Sequence, residues 1–124
     1  MSKSLWNMPD SESVLGPVQI MREQGEILTR STDGKLQYNI QTSGSGQEIV
    51  NDFNIVVPSL GFYIYTVGRY VQRPLAIYPG RFHSQLIGEW KEISDESVFR
   101  GYLGYVLGSQ AAADLIKTLL SQVA

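Results

Sequence analysis

Alternation of apolar and polar side chains is the feature that most constrains how this chain folds. Within residues 35 to 57, Leu36, Tyr38 and Ile40 alternate with polar residues, and a second alternating run follows the turn sequence SGSGQ at residues 43 to 47. A period of two places one set of side chains on a single face of a strand. This pattern predicts two antiparallel strands with one buried face.

Two more strands are predicted after the turn at Pro58 and Gly61. The third covers residues 62 to 71, FYIYTVGRYV, which are dense in aromatic and β-branched side chains. The fourth begins at LAIY and runs to Tyr78 or, past a bend at Pro79-Gly80, to about Ile87. Four strands joined by short turns form an antiparallel meander.

Helical spacing of apolar residues flanks these strands on both sides. A first helix is predicted over residues 17 to 31, and it stops at STDG, where Gly34 is free to adopt a left-handed conformation. After Trp90 the pattern becomes helical again, with Ser94 available as a cap. Gly108-Ser109 then ends that helix and caps a terminal amphipathic one.

The predicted fold is α+β, with an N-terminal helix, a four-stranded antiparallel meander and two C-terminal helices packed on one face. A length of 124 residues fits one domain, which we place at residues 16 to 124 after a flexible arm at 1 to 15. A helix followed by such a meander is loosely similar to the cystatin-like arrangement, in which the sheet curls round the helix. The resemblance is one of topology, covers roughly residues 17 to 87, and implies no function.

Composition excludes several classes of protein. A net charge of −2 provides no basic balance to neutralise phosphates, so we expect no nucleic-acid partner. The chain has no cysteine, which excludes disulfides and thiolate chemistry, and no pattern requires a metal or other cofactor. No apolar run has the length of a signal-peptide core or of a membrane span, so we expect a cytoplasmic protein that does not engage membranes.

The charged residues are distributed unevenly along the chain. Residues 53 to 88 contain Arg69, Arg73 and Arg81 and no acidic residue, whereas all twelve acidic residues lie outside this segment. The third and fourth strands are therefore expected to be the electropositive part of an acidic molecule. Arginine suits carboxylate and phosphate ligands because its planar fork donates two parallel hydrogen bonds. These arginines could equally pair with acidic residues of the helices.

Two functions remain open on these observations. The first is a binding or assembly module, with no catalytic role, that contacts a protein partner or a second copy in a homodimer, through strand edges or the tyrosine-rich face. Tyrosine and arginine are enriched at protein interfaces. The residues predicted to form this surface are Tyr63, Tyr65, Arg69, Tyr70, Arg73 and Tyr78.

The alternative is a small-ligand-binding protein or an unusual enzyme, with a pocket between sheet and helices where Tyr78, Arg81 and His83 hold an anion. His83 is the only histidine, and no acidic residue lies within five positions of it. A general base needs a pKa tuned by burial or by a carboxylate, so we assign His83 a binding role rather than a catalytic one. We expect the chain to leave the regular sheet at Pro79-Gly80 and to present Arg81 and His83 at a rim.

Overall fold

The computed structural model describes residues 5–7 and 14–123, and most of the predicted arm lies outside them. Eight helices and strands follow one another along the described chain. They are α1 (Pro17–Ser31), β1 (Gln37–Gly44), β2 (Ile49–Val57), β3 (Tyr63–Arg73), β4 (Ala76–Ser84), β5 (Glu89–Ile93), α2 (Glu96–Leu107) and α3 (Gln110–Ser121).

The strands form one open sheet in the order β1-β2-β3-β4-β5, and every neighbouring pair is antiparallel. The α+β class, the antiparallel meander and the flanking helices are thus confirmed. The predicted number of four strands is wrong, because Glu89–Ile93 is a fifth strand. All of its residues except Ile93 are exposed, so no apolar alternation marks it in the sequence. The cystatin-like topology is not confirmed.

Strand β4 runs straight through Pro79-Gly80 and ends at Ser84. Its pairing with β3 is irregular there, since Val71 lies opposite Arg81 whereas Arg73 lies opposite Ala76. On its other side β4 pairs with β5 from Gly80 to Ser84. The predicted departure from the sheet is therefore only a bulge against β3, and Arg81 and His83 lie within a strand paired on both sides rather than at a rim.

Helix boundaries follow local hydrogen bonds. Helix α1 ends where Gly34 adopts a left-handed φ of 78°, as the STDG sequence predicts. Helix α2 is capped by Asp95, which accepts a hydrogen bond from the Val98 N–H at 2.9 Å, one residue later than the predicted Ser94. Ser109 caps α3 as predicted, since its Oγ accepts from the Ala112 N–H at 3.2 Å.

The core lies on one face of the sheet, under the helices. Phe99 of α2 stands edge-on to the rings of Tyr70 and Phe82, with centroids 5.3 and 5.4 Å away. These three side chains are completely buried, and Ile20 and Met21 of α1 complete the same cluster. Aromatic packing of this kind therefore joins the middle of the sheet to α2.

Two glycines leave room for aromatic rings of β3 and β4 to pack closely against the neighbouring strand. The ring of Phe82 on β4 covers Gly68 on β3, and the ring of Tyr70 on β3 covers Gly80 on β4. A Cβ atom at either glycine would overlap the ring that covers it. Gly25 in the middle of α1 has the same role, because the ring of Tyr38 occupies the space where its Cβ would lie.

Replacing Gly68 with alanine is expected to destabilise the fold by about 1 to 3 kcal/mol, because the buried Phe82 ring has no room to move aside. The measurement is the free energy of unfolding in urea. Gly101→Ala is the matched control, since a Cβ at that helical position meets no atom within 4 Å. The control should stabilise α2 by about 0.5 to 1 kcal/mol. Equal effects of the two substitutions would contradict the packing argument.

Candidate functional site

A single row of side chains crosses all five strands on the face that carries no helix. The register places its members opposite one another. Their sequence neighbours Phe53, Tyr70 and Phe82 belong to the core, so alternation turns the row toward solvent. The members of this cross-strand row are Gln41, Asp52, Arg69, His83 and Trp90.

The arginine of this row is engaged by an internal carboxylate. Arg69 donates two parallel hydrogen bonds to Asp52, from Nε to Oδ1 at 2.8 Å and from Nη2 to Oδ2 at 3.1 Å. The hydrogen bond and the charge of Asp52 raise the pKa of Arg69. The side chain of Arg69 is 52% exposed, so the pair contributes no more than about 1 kcal/mol to stability. It does fix the direction of the guanidinium.

The ring of Trp90 contacts two side chains of β4. The Arg81 guanidinium carbon lies 5.1 Å from the centroid of the indole ring, a cation–π distance. The His83 ring lies 5.1 Å from the same indole, tilted by 46°. Trp90 nevertheless remains 51% exposed. We call Arg81, His83 and Trp90 the Trp90 cluster, and it presents a positioned aromatic surface to solvent.

Acidic residues offset most of the predicted electropositive segment. Arg81 Nη2 lies 3.2 Å from Glu48 Oε2, and Glu92 is its cross-strand neighbour on β5. Among the described residues, Arg73 alone of the three arginines forms no ion pair with an acidic side chain. The ion-pair partners come from β2 and from the turn before it, and not from the helices.

Two shallow depressions flank the Trp90 cluster. One, of about 250 Å³, is lined by Thr66, Gly68, Arg69, His83, Gln85 and Trp90. The other, of about 320 Å³, lies over the β3–β4 bulge, and its charged lining consists of Glu48, Arg73, Arg81 and Glu92. Cations and anions are balanced in the second depression, and in the first the Arg69 guanidinium is paired with Asp52.

The predicted tyrosines are divided between the core and the surface. Tyr70 is fully buried and its hydroxyl donates to the Ile77 carbonyl at 2.7 Å. The Tyr78 hydroxyl donates to the Leu15 carbonyl at 2.9 Å. Tyr63 is about half exposed and Tyr65 is partly buried, both at the start of β3 beyond the end of β4. Tyr70 and Tyr78 thus pack under the helices and do not join the arginines.

Trp90 is the residue that sequence reasoning missed. The sequence pattern predicts a helix after Trp90 and no strand around it, and only the strand register shows that Trp90 lies beside His83. The available signal was an aromatic residue set between Glu89, Lys91 and Glu92 just before a helix cap. His83 itself, among the residues described, forms no ion pair with a carboxylate.

A separate apolar cavity of about 290 Å³ lies between the sheet and the helices. Its lining comes from every helix and from the middle of the sheet, and it contains no charged side chain. Tyr78, Arg81 and His83 do not line this cavity, so the structure does not assemble the predicted anion site. The lining residues are Gln24, Ile27, Leu28, Ser31, Phe53, Ile55, Val67, Leu86, Leu107, Ala112, Leu115 and Ile116.

Comparison of the chain with protein-family models, with curated proteins and with solved structures finds no match. None of the described helices has the length and apolar character needed to cross a membrane. Residues 5–7 and 14–123 contain no group of three or more His, Asp or Glu side chains arranged to hold a metal ion. Functional inference for this chain rests on the geometry of its own surfaces.

Burial raises the pKa of Tyr78 to about 12, and the negative charge of Glu96 adds to the effect. An unfolded tyrosine ionises near pH 10, so between about pH 10 and pH 12 the unfolded state loses a proton that the folded state keeps. Stability should therefore fall as pH rises through this window. Urea unfolding at pH 9, 10 and 11 should show a shallower fall for Tyr78→Phe than for wild type. Identical slopes would contradict the assignment.

Proposed function

We propose that this protein is a binding and assembly module that acts through protein–protein contacts made by the helix-free face of its sheet. The observation that carries the proposal is Trp90, half exposed yet held by Arg81 and His83 at 5.1 Å each. Tryptophan and arginine are the residues most enriched among those that dominate binding energy at interfaces. A large, half-exposed aromatic side chain packed against an arginine and a histidine is the natural anchor of such a contact.

The Trp90 cluster is supported by a polar network that stiffens the same face. Asn54, only 2% exposed, donates to Asn39 Oδ1 at 2.9 Å and accepts from the Thr66 hydroxyl at 2.7 Å. The bidentate Arg69–Asp52 pair lies in the neighbouring row. Side chains already fixed before binding lose less conformational entropy on association, which favours affinity.

Charged side chains around the Trp90 cluster orient a partner that approaches it. Glu48, Arg73 and Glu92 surround Arg81 and alternate in sign. A rim of mixed charge contributes little to affinity but selects the approach of a partner whose charges complement it. A protein with a pocket for an indole ring and a mixed-charge border is the class of partner this face suits.

Trp90→Ala should weaken binding of a protein partner by roughly 30-fold or more, the range of an interface anchor. Immobilised wild type and variant are compared by quantitative mass spectrometry of retained proteins, and affinity for a retained partner is then measured by calorimetry. Hydrogen exchange in the complex should slow in β3, β4 and β5. Arg81→Ala should weaken the same partner, because it removes one support of the indole ring.

Tyr105→Ala is the matched control, because Tyr105 is an aromatic residue 61% exposed on α2. It should retain the partner with unchanged affinity. Retention of the same proteins at the same affinity by wild type and Trp90→Ala would refute the proposed role of this face.

The second candidate is a protein that binds a small ligand between sheet and helices, and it is favoured by the cavity of about 290 Å³. Because no charged side chain lines this cavity, we propose an apolar ligand in place of an anionic one. The volume lies at the lower end of ligand pockets, which suits a ligand of about the size of a short aliphatic chain or a single aromatic ring.

Filling the cavity tests this second candidate. Calorimetric titration with n-hexanol and with indole should show saturable binding of one molecule per chain. Ala112→Leu adds bulk to a lining residue that is 4% exposed and should weaken this binding at least ten-fold. Trp90→Ala should leave it unchanged, since Trp90 lies on the opposite face. Absence of saturable binding by wild type would dismiss the candidate.

A further inference from the structure

The two outer edges of the sheet are built differently. Strand β5 is five residues long and carries Glu89, Lys91 and Glu92. Strand β1 is eight residues long, QYNIQTSG, with no charged residue and no proline, and its register against β2 is continuous. Short length, charge, proline and bulges are the devices that keep strand edges from pairing with other chains. Strand β5 has two of these devices and β1 has none.

The backbone of β1 is available for pairing along its outer side. The chain immediately before the strand is tied to α1, because Thr32 Oγ1 accepts from the Leu36 N–H at 3.1 Å and donates to the Leu28 carbonyl at 2.9 Å. From Gln37 onward, the only strand of the described residues that pairs with β1 is β2. Strand β4 is no such edge, because it lies inside the sheet between β3 and β5.

We propose that β1 pairs antiparallel with β1 of a second copy of this chain, so that two five-stranded sheets join into one of ten strands. The inference goes beyond the proposed function, because it adds a self-contact at a sheet edge to the partner contact made by the helix-free face. A two-fold axis perpendicular to the sheet relates the copies, which keeps the helices of both on the same face.

Opposite residues share a face whenever one residue of β1 lies on the two-fold axis, and we place Ile40 there because it is the only aliphatic side chain of the strand. Each Ile40 then faces Ile40 of the second copy on the helix side, where it is now only partly covered. On the other face, Asn39 lies opposite Gln41 of the second copy. Asn39 Oδ1 already accepts from Asn54, which leaves the Asn39 amide N–H groups to donate to that glutamine.

A second copy fits this edge better than a charged peptide does. In a two-fold contact a side chain on the axis meets its own copy, so a charge there would face a like charge. The run from Leu36 to Gln47 contains no charged residue. Within β1 the side chains are amides, hydroxyls, one tyrosine and one isoleucine, so two copies of the strand meet without burying a charge.

Ile40→Lys is the first test, because it places two like charges beside the axis. Sedimentation equilibrium at about 100 μM, where a dimer with a Kd of about 10 μM or less is mostly assembled, should show a dimer for wild type and at least ten-fold weaker association for the variant. Ile27→Lys is the control, since Ile27 is 45% exposed on α1 and should remain dimeric. A monomeric wild type would overturn the proposal.

Cysteine cross-linking is the second test, and it does not depend on the folding of Ile40→Lys. The chain contains no cysteine, so Ile40→Cys introduces one thiol, which lies opposite its own copy at a Cβ separation of about 4.5 to 5.5 Å. Mild oxidation should yield covalent dimer rapidly. Lys91→Cys on the β5 edge should not, and equal cross-linking of the two variants would overturn the register.

The partner contact at Trp90 and the self-contact at β1 can be tested independently. Trp90→Ala should keep the wild-type dimer constant, because Trp90 lies at the far side of the sheet from β1. Loss of the dimer in Trp90→Ala together with its retention in Ile40→Lys would move self-association to the helix-free face and refute the β1 contact. Loss of partner binding in Trp90→Ala with an intact dimer supports both proposals.

Discussion

The reciprocal packing of one aromatic ring from β3 and one from β4 against glycines of the opposite strand is the interaction on which the rest of the structure depends. Phe82 covers Gly68, Tyr70 covers Gly80, and the two rings together form the floor on which Phe99 of α2 rests. Because neither glycine has a side chain, each ring packs directly against the backbone of the neighbouring strand. In the same register, Arg69 lies opposite His83 on the reverse face of the sheet.

The alternation of side chains that buries one face of the sheet also determines which side chains lie on the other face. Each core residue of β3 and β4 has a polar neighbour pointing away from the helices, and these neighbours meet residues of β2 and β5 across the ladder. Asp52, Arg69 and Trp90 are therefore close in space although they are far apart in sequence. The apolar cavity and the Trp90 cluster lie on opposite faces of one rigid layer, so they are independent surfaces.

Much of this architecture could be predicted because it depends on short stretches of sequence. The period of β1 and β2, the stop at Gly34 and the cap at Ser109 depend on residues within a few positions. The fifth strand could not be predicted, since its exposed faces carry charged residues and Trp90 where a periodic apolar signal would be needed. Ion pairing was equally hidden, because Glu48 and Arg81 are 33 positions apart and only the register brings them together. Tyrosine is a residue type enriched at interfaces, which is why the sequence predicts Tyr70 on the surface, whereas Tyr70 lies in the core.

The unequal edges of the sheet limit how far any assembly could grow. Of the two edges of the described sheet, β1 is the longer one and carries no charge. A pairing of β1 with β1 therefore leaves neither copy with an uncharged edge strand that is free to pair. What then faces outward at each end is β5, whose glutamates and lysine do not accept another strand readily. A closed pair is the end point of such an arrangement, and propagation into fibres is blocked by the same three charged side chains in each copy.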